Sequence, residues 1–214
     1  MADQNHSRVA VFDINGTLYR KSSKEEFFKY ICFKKGYKLL NIFQLIIFKI
    51  IGKARLINQT EFKENFFNYL DNLSPKVVAR FAKEYWYIEF PQHFNEKLMN
   101  RVEELKREGI KVICISGGLD VYMRPLFERL KVDHHFYTKT KYVENTYKID
   151  GEACKGEEKI RCLDKQFGNN NYTIVEAYSD DPEVILDHAE KAFLITPDGE
   201  LEPYKSDQTK LTRA

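Results

Sequence analysis

The sequence has no charge of one sign to spare. Its 34 lysines and arginines face 32 aspartates and glutamates, leaving a formal net charge of +2. No basic stripe interleaved with aromatics stands out, so nucleic acid is not an expected partner. Cysteine is scarce: Cys32, Cys114, Cys154 and Cys162 show no Cys-x-x-Cys spacing. Thiols at strand or helix positions in such a chain point to a reducing compartment. The opening Met-Ala-Asp-Gln-Asn-His has no apolar signal region, which makes the cytoplasm the expected location. There is no internal repeat and no low-complexity segment. A charge-free apolar stretch, Leu39–Phe48, is ten residues long, against the about 20 that cross a bilayer.

What remains is an ordinary globular composition, 43% hydrophobic and 31% charged over 214 residues. That is enough for one core and a smaller insert. Val9–Phe12 reads as a buried strand of a parallel sheet. It ends at Asp13, and Gly16 then lets the chain turn. Further strands are expected over Lys111–Ile115, ending at Ser116-Gly117-Gly118, over Tyr172–Ala177, ending at Ser179-Asp180-Asp181, and over Ala192–Ile195. Between them, Leu98, Val102 and Leu105 fall at helical spacing before Gly109. Val121–Leu130 reads as the next helix, and Glu157–Phe167 puts Ile160, Leu163 and Phe167 on one face. Val184–Ala189 is a short helix, and Tyr142–Ile149 a hairpin turning near Glu144-Asn145. From about Lys21 to Asn95 the pattern is helical throughout. Candidates are Glu25–Lys35, Thr60–Leu70 and Pro75–Trp86, the last with Ser74 as N-cap and proline at the first helical position. The expected architecture is α/β: a doubly wound parallel sheet from residues 1–20 and 96–214, interrupted by an inserted all-helical cap domain at 21–95. The polar ends, 1–8 and beyond Tyr204, read as tails.

Three polar clusters, at Asp13, Ser116 and Asp180, lie just past the carboxyl ends of expected strands. In such a sheet these ends line one edge, where ligands bind. Two carboxylates meeting there would repel each other without a cation, and oxygen ligands of this kind suit Mg²⁺ with waters and a substrate phosphate. The Ser116 hydroxyl, the amides of Gly117 and Gly118, and a lysine are suited to hold phosphate oxygens. Asp13 would then be free to attack phosphorus, with metal and lysine neutralising the transferring group. Read singly, each residue has a plainer explanation, such as a strand-end aspartate or a solvated helix-start lysine.

Taken in order, Asp13-Ile-Asn-Gly-Thr17, Ser116-Gly-Gly-Leu-Asp120, Cys154-Lys-Gly-Glu-Glu-Lys159 and Tyr178-Ser-Asp-Asp181 resemble the four ordered motifs of the haloacid dehalogenase superfamily. The helical insert resembles the cap of its phosphoserine-phosphatase-like branch, subfamily IB. The Cys-x-Gly-Glu-x-Lys pattern and the ending Leu194-Ile-Thr-Pro-Asp-Gly-Glu-Leu201 resemble a bacterial subgroup that includes phosphatidylglycerophosphate phosphatases. The likeness spans about residues 8–201. It implies a Mg²⁺-dependent phosphatase that hydrolyses a phosphomonoester, a phosphorylated small molecule or lipid head group, through an aspartyl-phosphate. In that scheme Asp13 is nucleophile and metal ligand. The Asn15 backbone carbonyl and Asp180 complete the metal site. Ser116, the Gly117 amide and Thr17 bind phosphoryl oxygens. Lys159 steadies nucleophile and phosphate, with Lys155 as a rival for that role.

Two departures qualify the scheme. Family phosphatases usually carry, where this chain has Asn15, a second aspartate that protonates the leaving group and activates water. An amide does neither. The protein is then a slow enzyme with a long-lived aspartyl-phosphate, a phosphate-binding or regulatory protein without turnover, or a variant engineered to trap a complex. Asp180 and Asp181 are adjacent and precede Pro182, where the family spaces two aspartates further apart. Asp181 is either the second carboxylate of a rearranged loop or an N-cap-like residue. The acidic and arginine residues that serine-specific members use have no clear counterpart in the insert, and a metal-free dehalogenase resembles a different loop. Leu39–Phe48 is flanked by Lys34, Lys35 and Lys38 and by Lys49, Lys53 and Arg55. The 39–57 segment either contacts an anionic membrane surface or packs within the cap or against a second subunit. His134-His135 reads as a solvated pair pointing apart, Tyr85, Trp86 and Tyr87 as cap–core packing, and Asp120 as helix-starting charge.

Overall fold

The computed structural model describes residues 6–36 and 67–205. In chain order the described strands are β1 (Ser7–Asp13), β2 (Lys111–Leu119), β3 (His134–Thr138), β4 (Thr140–Val143), β5 (Thr146–Ile149), β6 (Tyr172–Ser179), β7 (Ala189–Ile195) and β8 (Leu201–Pro203). The described α-helices are α1 (Ser23–Lys34), α2 (Pro75–Glu89), α3 (Glu96–Arg107), α4 (Asp120–Leu130), α5 (Glu157–Phe167) and α6 (Val184–Asp187). The sheet runs β3-β2-β1-β6-β7-β8, parallel except for the antiparallel edge strand β8.

β1 is central because it is apolar on both faces. Val9 and Val11 join one buried cluster with Ile113, Ile115, Leu163 of α5 and Ile185 and Leu186 of α6. Ala10 and Phe12 join the other with Leu98, Val102 and Leu105 of α3 and Tyr122, Met123 and Leu126 of α4. Successive strand residues point to opposite faces, so a continuous apolar run requires cover on both. Each fully buried aliphatic or aromatic side chain contributes roughly 1.5–3 kcal/mol. Phe12, Tyr178 and Phe193 stack across β1, β6 and β7, with centroids 4.5 and 5.1 Å apart.

Helices α1 and α2 lie between β1 and β2 in sequence and cover the Phe12 face. Phe27, Phe28, Ile31, Val78, Phe81, Tyr85 and Trp86 belong to the same apolar cluster as α3 and α4. Trp86 is fully buried, and its indole N–H donates to the Tyr122 carbonyl on α4. Tyr85 and Trp86 therefore pack as expected, whereas Tyr87 is 74% exposed. Ser74 marks the start of α2, but its side chain makes no capping bond; its carbonyl accepts from the Val77 and Val78 amides. Of the expected Thr60–Leu70 helix, the described part, Phe67–Leu70, is a 3₁₀ turn. The 39–57 segment lies outside the described residues. Among those described, no helix is long and apolar enough to cross a membrane.

Other differences have local causes. β2 continues through Ser116-Gly-Gly to Leu119, with a register break against β3 after Ile115. The glycines lack side chains, so the backbone stays extended through the irregularity. β3 has no apolar run to announce it. His135 is exposed and stacks on Phe127 at 4.6 Å, while His134 meets Phe167 edge-on at 5.2 Å, so the pair does point apart. β7 starts at Ala189 rather than Ala192, because Ala189 and Lys191 pair with Ile174 and Glu176. The β4–β5 hairpin turns at Glu144 and Asn145, both with positive φ, as a tight two-residue turn requires. It leans on the insert: the Tyr147 hydroxyl donates to the Leu73 carbonyl at 2.9 Å. Asp120 starts α4 as expected and also accepts from Thr140 Oγ1 at 2.6 Å.

Truncating Trp86 removes the largest fully buried side chain at the contact between α2 and α4. Trp86→Ala is expected to cost about 3–5 kcal/mol, read as a lower urea midpoint with unchanged slope.

Candidate active site

Strand register brings the polar clusters together. Asp13, the last residue of β1, pairs with Ile115 of β2, and Phe12 pairs with Tyr178 of β6. One or two residues further along stand Ser116 and Asp180. The sheet edge predicted from motif positions is therefore formed by hydrogen-bonded neighbours.

The turn after β1 is built around Gly16, at φ +69. A Cβ there would lie 2.1 Å from Asp180 Oδ2, so only glycine lets this turn pack on the Asp180 carboxyl. Asn15 links two elements. Its Oδ1 accepts the Ser23 amide at 2.8 Å, and its Nδ2 donates to Ser116 Oγ at 3.3 Å. Ser116 Oγ also accepts the Gly118 amide at 3.1 Å. Thr17 is fully buried, and its hydroxyl has no partner among the described residues. An orphaned buried hydroxyl costs about 1–3 kcal/mol unless something satisfies it.

Lys159 is the central cation. It is only 2% exposed, and its Nζ donates to Asp13 Oδ1 at 2.9 Å and to Glu183 Oε2. Burial alone would lower the ammonium pKa, but the charges of Asp13 and Glu183 outweigh burial and hold it above its ordinary value. Burial, joined by the charge of Asp13, outweighs the opposite pull of Lys159 and holds the Glu183 carboxyl above its ordinary value. Lys155, the rival, is exposed. Asp181 is exposed too, and its amide donates to Ser179 Oγ at 3.3 Å. Glu183, rather than Asp181, is the second carboxylate that this loop brings to Lys159. Sequence reading missed it because the family pattern directs attention to aspartates; its place just after Pro182 was the available signal.

Asp180 keeps an exposed outer face while its carboxyl packs against Gly16. Loss of solvent there, then the charges of Asp13, Asp181 and Glu183, push its pKa up to about 7. Among the described residues no group of three or more His, Cys, Asp or Glu side chains is arranged to hold a metal ion. A cation would use two carboxylates, a backbone carbonyl and water, a donor set that fits Mg²⁺. Asp13 and Asp180, close enough for their charges to act on each other, and the orphaned hydroxyl of Thr17, four residues after Asp13, fit a bound cation and an oxyanion. A further residue ties the edge together. Buried Thr138 donates from Oγ1 to the Gly117 carbonyl and accepts the Cys154 amide, both at 3.1 Å. Two clefts elsewhere, of about 460 and 430 Å³, lie along α2 and α4 and are lined by none of the predicted site residues.

Comparison with known proteins bears on this arrangement. The family model for haloacid dehalogenase-like hydrolases matches residues 10–183. A structure from Bordetella pertussis Tohama I, of a protein of unknown function, is similar with TM-score 0.77 at 16% identity, covering 87% of this chain and 89% of that one. A phosphoserine phosphohydrolase-like protein from Francisella tularensis is similar with TM-score 0.64 at 20% identity, covering 88% and 87%. A phospho-aspartyl intermediate analogue of phosphoserine phosphatase is similar with TM-score 0.61 at 18% identity, covering 90% and 89%. At these identities the likeness is one of fold. Among curated sequences, a shikimate kinase of Clostridium botulinum (strain 657 / Type Ba4) is 33% identical over 69 residues, 32% of this chain. The chain spans 41% of that relative's length.

Two outcomes follow from the site's electrostatics. Lys159→Met leaves Asp13 and Glu183 facing each other unpaired and is expected to cost about 3–5 kcal/mol. Lys155→Met at the exposed position should stay within about 0.5 kcal/mol; urea unfolding of both variants separates the two lysines. A carboxyl whose folded pKa is raised binds its proton more tightly when folded, so Asp180 makes stability fall as pH rises from about 4 through about 7. Asp180→Asn is expected to remove that fall. Solvent screening leaves about 1 kcal/mol, or roughly 2–4 °C in Tm, of stabilisation at pH 8 without added cations.

Proposed function

The chain belongs to the haloacid dehalogenase-like hydrolases, and on that premise we propose that it removes phosphate from a phosphomonoester through an aspartyl-phosphate on Asp13. The observation that carries this reading is the buried Lys159 ammonium in contact with Asp13 Oδ1 at the sheet edge. Lys159 orients the carboxylate by one oxygen and leaves the other to attack phosphorus. The bond from phosphorus to the leaving oxygen breaks as the bond to Asp13 forms, and water later cleaves the acyl phosphate. Ser116, the Gly117 amide and Thr17 hold the phosphoryl oxygens. Asp13, Asp180 and the Asn15 backbone carbonyl would hold Mg²⁺. The bound ion supplies charge neutralisation on the transferring group.

Asn15 sets the pace. Its amide is too weak an acid and too weak a base to transfer a proton near neutral pH, so the leaving oxygen takes its proton from solvent, and the second water attacks without a base. General acid–base help is worth about 10²- to 10⁴-fold. A second reading, a phosphate-binding or regulatory protein with little turnover, is favoured by the same residue: both ends of its amide are already engaged, with Ser23 and Ser116. The substrate is a phosphorylated small molecule, or a lipid head group if the insert meets a bilayer. A kinase reading drawn from the curated relative lacks support, because the sequence has no Gly-x4-Gly-Lys-Ser/Thr phosphate loop.

Turnover of a panel of soluble and detergent-dispersed phosphomonoesters, phosphoserine included, with and without Mg²⁺, tests the proposal. Phosphate release that requires Mg²⁺ and vanishes in Asp13→Asn supports the enzyme. Asn15→Asp is expected to raise turnover about 10²- to 10⁴-fold, since Asp retains the acceptor for the Ser23 amide. No release from the wild type, with release restored in Asn15→Asp, supports the binding protein. No release from either, with no phosphate bound, overturns both.

A further inference from the structure

We propose that Asn15 fixes the Ser116 hydroxyl as an obligate hydrogen-bond donor, so that this edge holds a phosphoryl oxygen more tightly than it would with an aspartate at the same position. The inference rests on the reading of the edge as a phosphate site. It gives Asn15 an effect separate from the missing acid–base group. Asn15 is a positioning residue in this respect, acting through Ser116.

The orientation of the amide follows from its neighbours. The Ser23 main-chain N–H can only donate, and it lies 2.8 Å from Asn15 Oδ1. The oxygen end of the side chain is thereby fixed on Ser23, and the nitrogen end faces Ser116. Nδ2 donates to Ser116 Oγ at 3.3 Å. A second donor reaches the same oxygen: the Gly118 amide, at 3.1 Å. Thr138 holds that peptide unit from its other end by donating to the Gly117 carbonyl at 3.1 Å. A trans peptide points its carbonyl and its N–H in opposite directions. Pinning the carbonyl on Thr138 therefore keeps the Gly118 N–H turned towards Ser116.

A serine hydroxyl has two lone pairs and one proton. Both lone pairs of Ser116 are engaged by donors, and its own proton meets no acceptor among the described residues. Ser116 is buried, whereas Asn15 and Gly117 beside it stay partly open to solvent. A buried proton without a partner is costly. An acceptor with no hydrogen of its own, such as an unprotonated phosphoryl oxygen, satisfies it. The buried Thr17 hydroxyl, also without a partner among the described residues, lies two residues after Asn15. An aspartate at position 15 reverses the arrangement. Its carboxylate keeps the Ser23 amide but can only accept, so it draws the Ser116 proton to itself and turns a lone pair towards the ligand. Asn15 thus favours retention of the anion at the same position where it slows turnover.

Calorimetric titration of inorganic phosphate into the full chain, at pH 8 with Mg²⁺, tests this. Asn15→Ala and Asn15→Asp should each weaken binding about tenfold or more, the effect of one hydrogen bond to a charged group. The two variants differ in what else they change: Ala adds no charge, and Asp keeps the acceptor for the Ser23 amide. Loss in both isolates the bond to Ser116. Ser116→Ala should also weaken binding about tenfold. Adding Asn15→Ala to Ser116→Ala should cost nothing further, where independent contributions multiply to about a hundredfold. No phosphate bound by the wild type, either Asn15 variant binding as tightly as the wild type, or multiplied losses in the double variant overturns the inference. Binding needs no turnover, so a failed substrate search counts against the phosphatase reading alone. Where a substrate is hydrolysed, Asn15→Asp should raise kcat and weaken inhibition by phosphate together; a rise in kcat with unchanged inhibition overturns the inference and leaves the phosphatase reading intact.

Discussion

A buried ammonium between two carboxylates is the constraint on which this protein's candidate site depends. Taking a lysine head group out of water costs several kcal/mol unless partners face it. Asp13 and Glu183 supply them. The three groups come from β1, from the first turn of α5 and from the segment between β6 and α6. None of these segments can move without leaving a charge buried and unpaired, so the ion pairs hold the ends of two strands and the start of a helix in one arrangement. The charge does not balance locally, however. With Asp180 close to Asp13, three carboxylates share the edge with one ammonium, and that excess adds to burial in pushing the Asp180 pKa up to about 7. An anionic edge of this kind repels a phosphate until a cation is added, which is the physical argument for metal dependence in the proposed reaction.

Small residues let the parts approach. Gly16 admits the Asp180 carboxyl, and a Cβ at Gly118 would lie 2.7 Å from Met123 Cγ. In both places a side chain would push apart elements that carry polar groups of the site. Asn15 shows the opposite strategy, a side chain used as a strut. It joins the start of α1 to Ser116, so its identity matters to the geometry of the edge as well as to any proton transfer. An amide in this position is structurally satisfied while being chemically inert as an acid or base.

The described helices of the insert, α1 and α2, share their apolar packing with the sheet. One apolar cluster runs from Phe27 and Trp86 through Tyr122 to Phe12 of the central strand. The β4–β5 hairpin adds bonds to the insert through Tyr147 and Leu73. Moving α2 away from α4 would break these apolar contacts and the Trp86 bond to the Tyr122 carbonyl.

Much of this was legible in the chain itself. The apolar run Val9–Phe12 dictated a strand covered on both faces, and three polar clusters just beyond strand ends identified one edge, because parallel strands place their carboxyl ends together. Helix α3 followed from Leu98, Val102 and Leu105 at helical spacing and from the positive-φ Gly109. Other features left no local trace. β3 and β8 are short edge strands whose residues are chosen by pairing with one neighbour, not by an apolar pattern. The choice between Lys159 and Lys155, the recruitment of Glu183 rather than Asp181, and the bridging of Gly117 to Cys154 by Thr138 were decided in three dimensions. Each depends on which side chain is buried against which, and burial is set by the packing of segments distant in sequence. A lysine becomes part of a site only when the fold removes its water and supplies its counter-charges.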